Sequence, residues 1–295
     1  MKDCSICPRN CHIDRESGNI GYCKKTAEIY VARAALHFYE EPCISGNSGS
    51  GTVFFSGCNL SCVYCQNKTI SQGNVGKNIS IERLVEIYFE LQNKGALNIN
   101  LVTPSHYAPQ IVKSLKIAKG KGLDLPVVWN SSGYEKVETL KMLQGLVDVF
   151  LVDFKYYNND LAKRYSKAID YPNVIKKALA EMFGQQPHNI FDDNGIMQKG
   201  CLVRHLLLPN CLEDSKSVLK YLFNEYGHQI YISIMGQYTP CANLYQYPEI
   251  NRKVLQSEYD ELVDYAVDLG IENAFVQSLE SADEFYIPDF DYEGI

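Results

Sequence analysis

The sequence predicts an α/β fold: a partial (βα)6 TIM-like barrel with a parallel sheet, preceded by a small cysteine-rich segment. From residue 50 onward, short apolar runs alternate with helical patterns, and such runs are typical of strands buried on both faces. Repeated strand–helix units require right-handed crossovers and therefore a parallel sheet. Six clear runs and a weaker seventh favour a partial barrel over a closed one of eight strands. The runs cover residues 52–56, 98–102, 126–129, 148–152, 201–208, 229–234 and, more weakly, 273–276.

Amphipathic patterns between these runs predict the crossover helices. Apolar residues recur at helical spacing from Ile81 to Leu91, with Ser80 at the N-cap position and Gly95 after the end. A residue with a side-chain oxygen before the run and a glycine after it are the usual boundaries of a helix. Further helices are predicted over residues 109–120, 161–165, 174–183 and from Ser257-x-x-Asp260 to Gly270.

Composition narrows the class of protein. The 295 residues are 46% hydrophobic and 12% aromatic, which is ample for a packed core. No apolar run has the length of a membrane span, and the first 30 residues have no signal-peptide core. A net charge of −7 argues against a general nucleic-acid surface, which would be basic. We therefore expect a cytoplasmic protein without a membrane or nucleic-acid partner.

Eight of the eleven cysteines fall within the first 65 residues, at spacings typical of metal ligands. Disulfide scaffolds belong to short secreted chains, so this pattern favours metal binding in a reducing compartment. Cys43 and the three cysteines after residue 65 are scattered, and we expect them to be small buried hydrophobic residues. These four are Cys43, Cys201, Cys211 and Cys241.

Three cysteines with the spacing C-x3-C-x2-C, Cys58, Cys62 and Cys65, follow the first predicted strand. Four thiolates usually hold a cubane iron–sulfur cluster, so a loop that offers three leaves one iron open. An open coordination position distinguishes a catalytic metal site from a structural one. The alternatives are a zinc knuckle or free thiols, but zinc prefers a fourth ligand and none lies near this loop. Loops after barrel strands lie at the catalytic face, which favours a reactive cluster.

Four more cysteines, Cys4, Cys7, Cys11 and Cys23, lie in the polar segment before the barrel. Four thiolates suit either tetrahedral zinc or a fully ligated iron–sulfur cluster. The segment has few apolar residues to hold itself together, so a metal would stabilise its fold. Thiols packed against the barrel without metal are the alternative, and the sequence does not separate these three.

The cysteine loop, with Tyr64 before its last cysteine, resembles the radical S-adenosylmethionine (SAM) superfamily. The resemblance extends to the N-terminal Cys-x2-Cys-Pro-Arg-x-Cys pattern and to residues 40–46, 50–60 and 64–67. Within the superfamily, these motifs resemble a group of iron–sulfur proteins similar to pyruvate formate-lyase activating enzyme. The resemblance implies a radical enzyme that cleaves SAM reductively to methionine and a 5′-deoxyadenosyl radical.

The resemblance also implies roles for individual residues. The three loop cysteines would hold a [4Fe-4S] cluster whose open iron chelates the methionine part of SAM, and Tyr64 would shield it. Asp153-Phe154-Lys155 ends the fourth predicted strand and resembles the Asp-Leu-Lys motif of the activases. There, a carboxylate and an ammonium group engage the ribose and methionine parts of the cofactor, which matches their hydrogen-bonding capacities.

Two strand ends depart from the activases. Residues 103–106 read Thr-Pro-Ser-His where the activases have Gly-Gly-Glu-Pro, so Thr103, Ser105 and His106 are alternative ligands for the methionine amine. Asn130-Ser131 replaces an Asp-Thr pair, which weakens the case for a monovalent cation there. Further candidates for cofactor or substrate contacts follow the fifth and sixth predicted strands: Arg204, His205, Gln237 and Tyr238.

The sequence thus predicts three regions, with a metal-binding segment over 1–50, a radical SAM barrel over 51–279 and an acidic, aromatic tail over 280–295. The expected partners are a low-potential electron donor of flavodoxin or ferredoxin type and a protein substrate. A backbone glycine of a glycyl radical enzyme is the leading substrate by analogy. A small-molecule substrate and a non-enzymatic iron–sulfur or zinc protein are the alternatives.

Overall fold

A computed structural model describes residues 2–240, 244–277, 279 and 288–295. Its strands form one sheet in the order β10-β9-β8-β6-β5-β4-β2-β1-β3, with β7 paired to β8 alone. The strands are β1 (Ile29–His37), β2 (Ser50–Phe55), β3 (Lys77–Ile79), β4 (Ile99–Val102), β5 (Val127–Ser131), β6 (Val149–Asp153), β7 (Ile190–Phe191), β8 (Met197–Leu206), β9 (Tyr231–Met235) and β10 (Ala274–Val276).

Seven consecutive strands of this order, from β10 to β2, pair in parallel. Each of the seven predicted runs overlaps one of them. All residues of β2, β4 and β5 are buried, as expected for strands covered on both faces. The end strands β10 and β3 do not pair with each other. The prediction of a partial parallel barrel is therefore confirmed.

Two strands of the main sheet, β1 and β3, were not predicted. Residues 29–37 form β1, which runs antiparallel to β2 and to the short β3. Its sequence mixes apolar residues with partly exposed Tyr30 and Arg33, because one face of this outer strand reaches solvent. The predicted cysteine-rich segment 1–50 therefore includes a barrel strand.

The predicted helices are present. Ser80 accepts a hydrogen bond from the Arg83 N–H at 3.1 Å and caps α3. The last helix begins slightly earlier than predicted, because the Glu258 carboxylate accepts the Leu255 N–H at 2.9 Å. The helices are α1 (Pro42–Ser45), α2 (Lys68–Ser71), α3 (Ile81–Asn93), α4 (Ala108–Gly120), α5 (Val137–Lys141), α6 (Asn159–Ser166), α7 (Tyr171–Gln185), α8 (Leu212–Tyr226) and α9 (Gln256–Leu269).

The end of the chain packs against the outer barrel strands. The carbonyl of Glu293 accepts the Ala34 N–H at 2.8 Å, and Phe290 contacts Phe54 edge-on. The predicted tail residues Phe285 and Tyr286, like Cys241, lie outside the described residues. Within the described part of the chain, no helix has the length and apolar character needed to cross a membrane.

Candidate functional site

A pocket opens at the carboxyl ends of the parallel strands, where barrel enzymes carry their active sites. The loop after β2 contributes its three cysteines, and β6 and β8 contribute charged side chains. The pocket includes eleven residues that the sequence predicted as metal or cofactor contacts. They are Cys58, Cys62, Tyr64, Cys65, Thr103, Asn130, Ser131, Asp153, Lys155, Arg204 and Gln237.

Gly57 allows the cysteine loop to lie close against its neighbours. Its φ of +92° is in the left-handed region that favours glycine. A Cβ at this position would lie 2.6 Å from the carbonyl oxygen of Cys23 and 2.9 Å from His106 Nε2. A larger residue would therefore push the loop away from the N-terminal segment behind it.

Hydrogen-bond donors surround the sulfur atoms of the loop. The Leu60 N–H lies 3.3 Å from Cys58 Sγ, and the Ser166 hydroxyl lies 3.0 Å from Cys62 Sγ. The Ser71 hydroxyl lies 3.3 Å from Cys65 Sγ. Burial raises the pKa of the Cys65 thiol to about 11, but a thiol that ligates a metal is deprotonated outright. The donors therefore suit anionic sulfur, as in a cluster ligand.

The charged groups of the pocket form one connected network. Asp153 bonds Lys155 at 2.7 Å and Arg204 at 2.8 Å, through its two oxygens. Arg204 also donates to Asn130 at 2.7 Å. Burial opposes ionisation of Asp153, but the charges of Arg204 and Lys155 hold its pKa at about 2. The aspartate is therefore ionised at neutral pH and presents charge and acceptor capacity to the pocket.

Two carboxylates before the barrel, Glu40 and Glu41, join this network and were not predicted as site residues. Glu40 accepts from Arg204 at 2.9 Å and from the Asn100 and Asn130 amides at 3.1 Å each. Glu41 Oε2 lies 3.7 Å from Arg204 and has no hydrogen-bond partner among the described residues. The adjacent acidic pair in the 40–46 motif was the available signal, but only the fold brings Glu40 to the pocket and buries Glu41 next to it.

Thr103 occupies the position of the activases' first glycine. Its φ of +59° is an outlier for a β-branched residue, and its N–H donates to the Asn130 carbonyl at 2.9 Å. The backbone at this strand end therefore keeps the conformation that glycine adopts easily. Threonine retains it at a cost in strain.

The structure does not bring three of the predicted residues to the pocket: Ser105, His106 and His205. His106 donates from Nε2 to the Ser56 carbonyl at 2.9 Å, and burial lowers its pKa to about 3. His205 donates from Nδ1 to the Phe154 carbonyl at 2.7 Å. Successive residues of a strand point to opposite faces, so Arg204 reaches the pocket and His205 does not. Tyr238 does line the pocket, and its hydroxyl donates to Ile250 O at 2.7 Å.

The four N-terminal cysteines lie together on the side of the cysteine loop away from the pocket. Cys4, Cys7 and Cys23 are buried, Cys11 is half-buried, and none forms a disulfide. Burial raises the pKa of Cys7 to about 11, and the other three thiols add to this because they lie nearby. In the described residues, no three His, Cys, Asp or Glu side chains have the close convergence that a single metal ion needs, in either cysteine group.

Arg9 connects these two cysteine groups. It donates to the carbonyls of Asn59 in the cysteine loop at 2.8 Å and Ser166 at 3.3 Å. Its guanidinium also stacks on the rings of Tyr22, 3.9 Å away, and Tyr134. Arg9 therefore holds the cysteine loop against the segment that carries the N-terminal cysteines.

The fold is a partial barrel that carries a three-cysteine loop and a charged pocket at the carboxyl ends of its strands. These features are typical of barrel enzymes with an iron–sulfur site. The sequence model of the radical SAM superfamily matches residues 52–184. The chain is also 30% identical to the uncharacterised protein MJ0674 of Methanocaldococcus jannaschii, over 90% of this chain and 75% of that one. The protein belongs to the radical SAM superfamily, whose members use a [4Fe-4S] cluster and SAM.

Solved structures show the same fold. SuiB of Streptococcus suis bound to SAM matches with a TM-score of 0.53 and 15% identity, over 77% of this chain and 52% of SuiB. The FeFe-hydrogenase maturase HydG of Carboxydothermus hydrogenoformans matches with a TM-score of 0.51 and 13% identity, over 80% of this chain and 56% of HydG. The chain thus spans about half the length of these proteins, and the likeness concerns the barrel.

Proposed function

We propose that Cys58, Cys62 and Cys65 hold a [4Fe-4S] cluster and that SAM binds in the adjacent pocket. When bound, cluster and cofactor supply the chemistry of the superfamily, in which an electron from a low-potential donor cleaves SAM to a 5′-deoxyadenosyl radical that takes hydrogen from a substrate. The observation that carries the proposal is that one pocket contains the three thiols together with Asp153 and Lys155.

The residues around the loop favour this use of the thiols. A chain of hydroxyl groups runs from Tyr64 to Tyr156 at 2.6 Å, on to Ser166 at 2.8 Å, and ends on Cys62 Sγ. Hydrogen bonds to sulfur stabilise the thiolate form and orient the ligand. Tyr64 is itself buried, so it also excludes water from this side of the pocket.

The charged network supplies binding groups for both ends of SAM. Lys155 offers a point charge to the methionine carboxylate, and Asp153 offers acceptor oxygens to hydroxyl groups of the ribose. Although burial favours its neutral form, the charge of Asp153 raises the pKa of Lys155, so the ammonium persists above neutral pH. The pair is thus charged before any ligand binds.

Glu40 is the group that best replaces the missing glutamate of the activases as the methionine-amine ligand. Among the described residues that line the pocket, the carboxylates are Glu40 and Asp153. Each oxygen of a carboxylate can accept more than one hydrogen bond, so the bonds from Arg204, Asn100 and Asn130 leave Glu40 further capacity. Of the alternatives open in the sequence, Thr103 lines the pocket and Ser105 and His106 do not.

We propose a polypeptide substrate, with a backbone glycine as the leading candidate. The SuiB structure bound to its precursor peptide SuiA, matching with a TM-score of 0.53, supports this, because the same barrel serves a peptide there. Tyr39, half exposed at the pocket mouth, and the neighbouring Phe38 offer aromatic surface to a chain. A small-molecule substrate remains the second candidate.

Anaerobic reconstitution with iron and sulfide, followed by SAM and dithionite, tests the proposal. We expect wild-type protein to form 5′-deoxyadenosine and Cys62→Ala to form none, while Cys211→Ala, a buried cysteine outside both groups, retains activity. Wild-type protein that loads a cluster and yet forms no 5′-deoxyadenosine would show that the proposal is wrong. A glycyl radical detected by electron paramagnetic resonance on a candidate protein substrate would identify the glycine as target.

A further inference from the structure

The N-terminal segment contains a buried arginine whose charge is not neutralised by any carboxylate of the described residues. Arg15 is 1% exposed. It donates to the Thr26 carbonyl from Nε at 3.1 Å and to the His106 carbonyl from Nη1 at 2.8 Å. These bonds satisfy its donors but supply no negative charge. A buried charge is costly unless an opposite charge accompanies it.

A second cation lies in the same place. Lys25 is 6% exposed, and its ammonium group lies over the Tyr30 ring, 4.8 Å from the centroid. Its contacts within the described residues also include no carboxylate. Lys24, the preceding residue, is exposed to solvent by contrast. Two buried positive charges therefore accompany the N-terminal cysteines, in a chain that carries excess negative charge elsewhere.

A sulfur atom faces the first of these cations, since Arg15 Nη1 lies 3.9 Å from Cys4 Sγ. The second lies beside the same cysteines in the chain and in space, because a Cβ at Gly57 would lie 2.7 Å from Lys25 Cγ and 2.6 Å from the Cys23 carbonyl oxygen. Protonated thiols have no charge to offer, whereas thiolates would neutralise both cations. Metal binding is the ordinary way to keep several neighbouring thiols deprotonated.

The backbone of the segment gathers the four thiols without regular secondary structure. Cys4 exchanges backbone hydrogen bonds with His12 and Ile13 at 3.0 Å each. A Cβ at Gly21 would lie 3.4 Å from Cys23 Sγ and 3.8 Å from Cys11 Sγ, so both sulfur atoms lie next to this glycine. The Tyr22 N–H lies 3.3 Å from Cys11 Sγ. No helix or strand occurs between residues 2 and 28. Short polar segments of this kind ordinarily need a metal to hold their fold.

We infer that Cys4, Cys7, Cys11 and Cys23 bind a thiolate-ligated metal centre whose surplus charge is neutralised by Arg15 and Lys25. A zinc ion and a [4Fe-4S] cluster both carry a formal charge of about 2+ in their common states, so four thiolates leave a net charge of about 2−. The two buried cations cancel this charge. Zinc and the cluster share this chemistry, but a single zinc ion requires the thiols to come closer together than they lie in the described structure. Elemental analysis distinguishes the two.

The position of the site indicates its role. None of the four cysteines lines the SAM pocket, so the centre is separate from the pocket described above. It lies behind the cysteine loop, where the Cys23 carbonyl faces Gly57 and Arg15 donates to His106. Metal binding therefore fixes the surface on which the radical-cluster loop rests.

The site is tested in the full chain with Cys58→Ala, Cys62→Ala and Cys65→Ala combined, so that the outcome does not depend on radical chemistry. After anaerobic purification this variant should retain one centre per chain, measured as zinc or as iron and sulfide. Adding Cys7→Ser and Cys11→Ser should remove it. Such variants risk unfolding the segment. The metal-free triple variant is therefore also titrated with Co²⁺, and binding of Co²⁺ to the four remaining thiolates should give a charge-transfer absorption band.

The charge assignment has its own test. Arg15→Gln and Lys25→Gln should each weaken metal affinity about 10- to 100-fold in chelator competition, the usual effect of losing a partner of the ligands. Arg15→Lys should recover part of the affinity, and Lys24→Gln is the matched exposed control and should change little. A triple variant that binds neither zinc, iron nor Co²⁺ would overturn the site. Equal affinity in Arg15→Gln and Lys24→Gln would overturn the charge assignment.

Discussion

Two arginines on opposite sides of the cysteine loop, one partly buried and one fully buried, differ in how their charges are neutralised. Arg204, on the pocket side, lies within ion-pair distance of Asp153, Glu40 and Glu41. Arg15, behind the loop, faces backbone carbonyls and the sulfur of Cys4 instead. The pocket network is therefore electrostatically complete within the protein itself. The N-terminal segment reaches the same balance only when its thiols are ionised.

The difference separates two ways of building a metal site. The pocket is preorganised by ion pairs among its own residues, so its shape does not depend on the ligand that it binds. At the N-terminal site that we infer, metal binding and folding would be one equilibrium. The loss of unfolding free energy caused by substituting each arginine should therefore depend on metal for Arg15 and not for Arg204.

The largest effect is expected from removal of the pocket arginine. Arg204→Met leaves the carboxylate of Glu40 without a cation and that of Asp153 with Lys155 alone, which should lower the free energy of unfolding by about 3–5 kcal/mol. Urea denaturation measures this change. Arg164→Met, which removes an exposed arginine paired with Glu249, is the control and should cost much less, because exposed ion pairs contribute little. Equal losses would show that the network does not stabilise the pocket.

The two arginines are compared most sharply by measuring how much each substitution changes the free energy of unfolding with and without metal. In the triple variant without the radical cluster, Arg15→Met should destabilise metal-loaded protein more than chelator-treated protein. A 10- to 100-fold loss of affinity corresponds to a difference of about 1.4–2.8 kcal/mol. Arg204→Met should cost the same with and without metal. A metal-independent effect of Arg15→Met would contradict the inferred charge balance.

The stability of the protein should depend on pH through Glu41, which lies on the pocket side of the cysteine loop. Burial, partly opposed by Arg204, raises the pKa of this carboxyl from 4.5 to about 7. The folded state therefore binds the proton more tightly, so its contribution to stability is complete below pH 4.5 and is lost as the pH rises through 7.

Glu41→Gln should remove this loss and stabilise the protein by about 1–2 kcal/mol at pH 8, with little effect at pH 4.5. Thermal melts across this pH range measure it. Glu40→Gln is the matched control with the opposite sign, because it breaks a hydrogen-bonded ion pair with Arg204. A pH-independent effect of Glu41→Gln would show that this carboxyl does not titrate there.

The smallest effect concerns the strained backbone beside the pocket. Thr103 has a φ of +59°, which costs a non-glycine residue on the order of 1–3 kcal/mol. Glycine relieves this strain but loses more entropy on folding, so Thr103→Gly should stabilise by about 1 kcal/mol or less. Thr139→Gly, within α5, should instead destabilise. Calorimetry distinguishes the two signs.

Much of the fold was predictable because buried parallel strands have a simple signature. All seven apolar runs became strands of the sheet, and the loop with its three cysteines follows β2 as expected. The strand β1 was missed because it lies at the outer side of the sheet, where polar residues interrupt the pattern. Predictability therefore followed burial on both faces.

In the candidate site, the predicted residues that the structure brings into one pocket lie at strand ends and in spaced motifs. Asp153, Lys155 and Arg204 lie at the carboxyl ends of adjacent strands, and parallel order brings such ends together. His205 was misplaced because the alternation of side chains along a strand sends it to the opposite face. Glu40 was missed because it lies between β1 and the first parallel strand, β2, and only the path of the chain brings it to the pocket.

The order of residues alone indicated the chemistry that we propose for the cysteine loop, because ligand spacing within one short loop is a local property. It also carried the parallel barrel, because strands buried on both faces must be continuously apolar. The pairing of Arg204 with three carboxylates and the isolation of Arg15 among sulfur atoms were decided only by the tertiary structure. Charge balance is a sum over neighbours in space, and in this chain the Glu40–Arg204 pair is separated by 164 residues.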